Sequence, residues 1–92
     1  MNIFSSLTHY GEWIVKNRRN FNDEEINSIA SAVVVPSQYG NSVQFNMVGG
    51  GMTFIPLSNQ SVKAVGEKVD VASAKLITLS KPGEDDILRV EC

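Results

Sequence analysis

Residues 32–57 read AVVVPSQYGNSVQFNMVGGGMTFIPL, three apolar, β-rich runs parted by two turn signals, and the fold class turns on them. The first run, Ala32 to Val35, is β-branched and stops at Pro36, which has no N–H for a ladder and belongs at an edge or a strand end. Gln38, Tyr39, Gly40 and Asn41 supply a turn, because Gly and Asn tolerate positive φ at little steric cost. In the second run Val43, Phe45 and Met47 alternate with Ser42, Gln44 and Asn46, the period-two mark of a half-buried strand. Gly49, Gly50 and Gly51 permit a tight reversal into the third run, Met52 to Leu57, which Pro56 and Ser58 close. The pattern predicts a three-stranded antiparallel meander.

Upstream the period changes. Residues 3–19 carry Ile3, Leu7, Tyr10 and Ile14 at three- and four-residue spacing, with Phe4 beside them, which predicts an amphipathic helix. Gly11 inside it costs about 1 kcal/mol relative to alanine; Lys16, Arg18 and Arg19 fall in its last turn, where cations suit the dipole. A second, short helix is announced by Asn22: Glu25 stands three residues later as its capping-box partner, and Phe21 can staple to Ile26. Downstream, residues 59–67 are a connection with room for a single helical turn, and residues 68–71 are a short extended piece. AKLITLS (74–80) and ILRVE (87–91) follow as strands. Between them Pro82 fixes φ at one turn position and Gly83 allows positive φ at the next. No repeat or linker divides the chain. The expected organisation is one domain over residues 1–92, helical over 1–31 and five-stranded over 32–92.

Composition narrows the class. A hydrophobic fraction of 42% argues against disorder, which needs low hydrophobicity and high charge. No apolar run is long enough to span a bilayer, and no basic flank with an apolar core marks a signal peptide, so the expected location is cytoplasmic. The single cysteine, Cys92, has no partner thiol for a disulfide or a metal site. Eight Lys and Arg against ten Asp and Glu give a net charge of −2. That sum advertises no nucleic-acid partner, although a local patch binds phosphates regardless of it.

Helices first, then antiparallel strands with turn-length connections, make an α+β class. Three strands plus two, with the longest connection between the third and fourth, is the order of a five-stranded OB-like barrel; an SH3-like barrel or a flat sheet covered by the two N-terminal helices is the alternative. The segment GEKVDVASAKLITLSKPGEDDILRV, following MTFIPL, resembles the C-terminal half of small single-domain OB-fold-like proteins of bacteria and phages, including single-stranded DNA-binding ones. The resemblance spans roughly residues 32–91. It implies a non-enzymatic domain that binds single-stranded nucleic acid on a sheet face.

Single-strand binding needs positive charge for the backbone and flat side chains for stacking. The candidate nucleic-acid residues are Tyr39 in the first loop, Gln44 and Asn46 on the polar face of the second strand, Phe54, and Lys63, Lys75, Lys81 and Arg89 in the second half. Lys68 is scattered among them, and Lys75 and Arg89 can meet across the terminal hairpin. Either Phe54 or Ile55 shares the face of Gln44 and Asn46; the inward position is slightly favoured for Phe54, and Phe45 is core. Trp13, placed on the first helix near Lys16 and Arg19, suits a protein partner, because aromatics and Arg dominate binding hot spots. That supports the second expectation, an interaction or assembly module, such as a homo-oligomer, using the N-terminal helices.

Other chemistry is sparse. His9 would have to pair with a terminal Cys92 to form a nucleophilic site. Glu84, Asp85 and Asp86 match no calcium loop, and the three glycines lack the Lys and Ser/Thr of a phosphate loop. No catalytic residue, metal or cofactor is expected.

Overall fold

The meander is present, but it is one of two sheets rather than part of a barrel. The computed structural model describes residues 13–38, 40–58, 61 and 63–92. In chain order these form β1 (Ile14–Asn20), α1 (Asp23–Ser28), β2 (Ile29–Ser37), β3 (Gly40–Met47), β4 (Met52–Pro56), β5 (Lys75–Ser80) and β6 (Ile87–Glu91). The meander sheet has the order β2-β3-β4, the terminal sheet the order β1-β5-β6, and every strand pair within them is antiparallel.

In the meander sheet the alternation fixes which side is dry. Val34 faces Val43, and Ala32 faces Phe45; all four are buried. From the terminal sheet Leu76 and Val90, paired across β5 and β6, pack against them, with Phe21, Val69 and Ala74 joining from the connections. Phe21 and Phe45 meet with ring centroids 5.7 Å apart at 45°, a tilted arrangement that aromatic quadrupoles favour. Ile77 and Leu79 lie on the opposite face of β5 from Leu76 and are also buried. The central strand of the terminal sheet is therefore apolar on both faces.

The free side of β2 is covered by an irregular segment. Val34 donates to the Glu67 carbonyl at 2.9 Å, Gly66 donates to the Val34 carbonyl at 2.8 Å, and Val69 donates to the Ala32 carbonyl at 2.9 Å. Gly66, at φ +92°, makes the entry turn that an L side chain would strain. Pro36 belongs to β2 opposite Asn41, and by the same alternation its missing N–H is on the side away from β3, where it leaves no ladder bond unmade.

The two sheets are joined at one seam. Leu57 forms a parallel bridge with Val90, the Ser58 N–H donates to the Val90 carbonyl at 2.8 Å, and the Ser61 hydroxyl accepts the Cys92 N–H at 3.0 Å. Burial pushes the Cys92 thiol up from its ordinary range.

Several expectations are corrected. Residues 14–19, the end of the expected first helix, belong to a strand on β5; Trp13 is in no helix, and residues 3–12 of that expectation, with His9, lie outside the described residues. The 1–31 helical part therefore fails, because β1 is extended and β2 already begins at Ile29. The described architecture is mostly β, and neither an OB-like nor an SH3-like barrel forms: six strands divide into two three-stranded sheets that share a core and one backbone bridge instead of closing. The start of the short helix is as read, with Glu25 N–H donating to Asn22 Oδ1 at 2.8 Å and Asn22 N–H donating to Glu25 Oε1 at 2.9 Å; its end is earlier, since Ile29 and Ala30 already belong to β2. The connection before β5 carries a turn at Val65 and Gly66 and no helix among its described residues.

Candidate functional site

β4 reads MTFIP, without a charge or a long polar side chain. Its hydrogen bonding alternates, as any antiparallel strand's must. Leu57 donates to the Asn41 carbonyl at 3.0 Å and Met47 donates to the Gly51 carbonyl at 3.2 Å. With Val43 opposite Ile55 and Phe45 opposite Thr53, the odd-numbered residues 51–57 bond to β3. The N–H and C=O groups of Met52 and Phe54 therefore point away from it. Among the described residues no strand pairs with that side along residues 52–55.

Each face beside this edge is apolar. On the outer face Phe54 is 53% exposed and Met52 59% exposed. The sequence's slight preference for an inward Phe54 is corrected by register: Thr53, opposite Phe45, takes the inward position, so Phe54 lies opposite Gln44 on the outside. On the inner face an open groove of about 360 Å³ lies between α1 and β3–β4. Phe21, Ile29, Phe45, Met47 and Ile55 form its apolar lining, and Glu24, Glu25, Ser28 and Thr53 its polar margin. A space of this size is at the lower end of the range that small-molecule pockets span.

The expected nucleic-acid residues divide. Gln44, Asn46 and Phe54 do share one face. Gln44 Nε2 donates to Asn46 Oδ1 at 2.8 Å and Asn46 Nδ2 donates to Ser31 Oγ at 2.9 Å, so the two amides bind each other and a neighbouring hydroxyl. Tyr39 lies outside the described residues. The four expected cations are elsewhere. Lys63 pairs with Glu67 at 3.2 Å, and the Ala64 N–H together with Lys63 holds the Glu67 carboxyl below its ordinary range. Lys75 Nζ donates to Asn20 Oδ1 at 2.9 Å. Lys81 stands 5.8 Å from the Trp13 ring centroid, a cation–π distance. Arg89 lies opposite Ile77 in the terminal sheet, two pairs along from Lys75 and Glu91. Lys68, paired with Val33, is the cation that borders the outer face of the meander sheet.

The expected partner-binding set is not one helix face. Trp13 precedes β1, Lys16 Nζ lies 2.7 Å from Asp86, and Arg19 makes two bonds, 2.8 and 2.9 Å, to Glu25. Those bonds, with the Asn22 N–H, hold the Glu25 carboxyl down at about 2. Arg18 reaches Glu91 at 3.1 Å. Sequence reasoning missed the groove and the open edge, because both depend on where strands stop pairing. The one local signal was the uncharged run MTFIP.

Among the described residues no helix is long and apolar enough to cross a membrane, and no group of three or more His, Cys, Asp or Glu is placed to hold a metal. No family model, curated protein or solved structure matches this chain.

Proposed function

We propose that the chain is a protein-binding module that takes an extended segment of a partner as an added strand along β4. One observation carries this reading: the outward N–H and C=O groups of Met52 and Phe54 stand between an exposed aromatic face and an apolar groove. In strand addition main-chain hydrogen bonds supply affinity, and pockets for alternate side chains supply specificity. An added strand would set one row of side chains against Met52 and Phe54 and the other beside Thr53 and Ile55 at the groove. Lack of charge on β4 removes the usual obstacle to edge pairing.

The test is selection of random-sequence displayed peptides on the immobilised chain, followed by titration of the selected peptides. Peptides with alternating apolar residues are expected to bind the native chain. They should bind Met52→Ala more weakly and Met52→Pro hardly at all, since proline deletes an outward donor while no ladder bond to β3 is lost. Peptides that bind Met52→Pro as well as Met52→Ala would refute main-chain pairing at this edge.

Single-stranded nucleic-acid binding is the second reading, supported by the exposure of Phe54 beside Gln44 and Asn46, with Lys68 bordering the far edge of the same sheet. It is the weaker one, because Lys16, Arg18, Arg19 and Lys63 are engaged in ion pairs that phosphates would have to break. Fluorescence anisotropy of labelled oligo-dT at two salt concentrations separates the readings. Salt-sensitive binding lost in Phe54→Ala but kept in Met52→Pro would favour the nucleic acid.

A further inference from the structure

We infer that the strand seated on β4 is β4 of a second copy, paired antiparallel about a two-fold axis at Thr53. The inference rests on β4 being a docking edge and names its occupant from the strand's own sequence. A two-fold antiparallel register centred on residue 53 sets Met52 opposite Phe54 of the other copy, and Phe54 opposite Met52. Both are outward-bonding positions, so the four open groups of each strand are satisfied in one step. Opposed residues share a face, so each exposed Met52 packs on an exposed Phe54, a favourable sulfur–aromatic pairing. Thr53 meets its own copy on the groove side.

Charge permits this pairing. A strand paired with itself about a two-fold axis sets each charge near its own copy, and like charges directly opposite are destabilising; MTFIP has none. Pro56 then has no N–H to give and ends the ladder.

The glycine turn fits the same register. Gly49 does not have positive φ, and a Cβ there would meet nothing within 4 Å among the described residues, so nothing among them calls for glycine at that position. In the dimer Gly49 falls opposite Leu57, where β6 is already tied through Val90. A partner turn without side chains passes that crowded point.

Sedimentation velocity of the full chain across a concentration series tests this, together with cross-linking in a Cys92→Ser background. The sedimenting mass is expected to rise toward twice that of the chain. Phe54→Lys and Met52→Pro should each weaken self-association roughly tenfold or more, because a two-fold interface feels every substitution twice. Thr53→Cys should oxidise to a covalent dimer, since non-hydrogen-bonded pairs hold Cα atoms about 4.5 Å apart, within disulfide reach. Val48→Cys, 65% exposed and outside the paired positions, is the control. A single monomeric mass, with Thr53→Cys oxidising no faster than Val48→Cys, overturns the inference. If the selected peptides then still bind and still fail on Met52→Pro, the edge stands and only its occupant is wrong. If they do not, both proposals fall.

Discussion

β1 and β4 are both edge strands with exposed side chains, and they treat exposure in opposite ways. β1 is exposed along all seven residues, yet carries Lys16, Arg18 and Arg19, each tied to a carboxylate from another part of the chain. Charged edges resist pairing with foreign strands. β4 is exposed at Met52, Thr53 and Phe54 and carries no charge. The difference teaches that exposure alone does not mark a binding surface. Among the described residues β1 too has an unpaired side and exposed apolar residues in Ile14 and Val15; what distinguishes β4 is that its unpaired backbone has no charge beside it along the strand.

The sharpest way to break the comparison is to move proline by one residue. Thr53→Pro removes an N–H that bonds to β3 and should cost about 3 kcal/mol or more, whereas Met52→Pro removes an outward one and should change the urea midpoint far less. Equal costs would mean that the alternation assigned to β4 is wrong.

A second, smaller effect concerns the anchoring of β1. Glu25→Gln loses the Arg19 ion pair and weakens the capping box, and should cost about 1 kcal/mol at neutral pH. The sign follows from a carboxyl held at about 2 against an ordinary 4.5. Its contribution is complete above the ordinary value, declines as pH falls through that window, and is gone below about 2. Urea midpoints of native and variant chains should therefore converge across that range; a constant difference would count against the ion pair as the cause.

The smallest effect sharpens what charge on β1 does. Lys16 and Asp86 have side chains 60% and 37% exposed, so Lys16→Ala should cost less than about 0.5 kcal/mol. Replacing Lys16 and Arg18 together by Thr should leave the fold intact but raise light scattering on concentration. Unchanged scattering would show that these charges do not guard the edge.

Local chemistry was legible in the sequence where its cause is local. Asn22 and Glu25 cap α1 within one turn, and the alternation in 42–47 fixes the dry side of β3. β1 was not legible, because a strand exposed on both faces has no apolar period to read; its extended form comes from pairing with β5, far along the chain. The phase of Phe54 was hidden for a related reason. Phe54 and Ile55 are both apolar, so alternation within MTFIP offers no direction, and the register with Phe45 decides it. Barrel closure was misjudged because whether β4 meets β6 along its length or at one bridge is written in no single segment.

The pairing of β1 with β5 also sets an order of events. The meander sheet is built from neighbours in sequence, so it can close while the rest of the chain is still unfolded. β1 cannot: Asn20 must wait for Lys75 and Ile14 for Ser80, and the loop between them is closed late and slowly. On a growing chain residues 14–20 leave the ribosome well before their partner and spend that interval as an unpaired segment among other nascent chains. The three cations that later form its ion pairs are present from the start, and during that wait they keep the segment from pairing with the wrong neighbour.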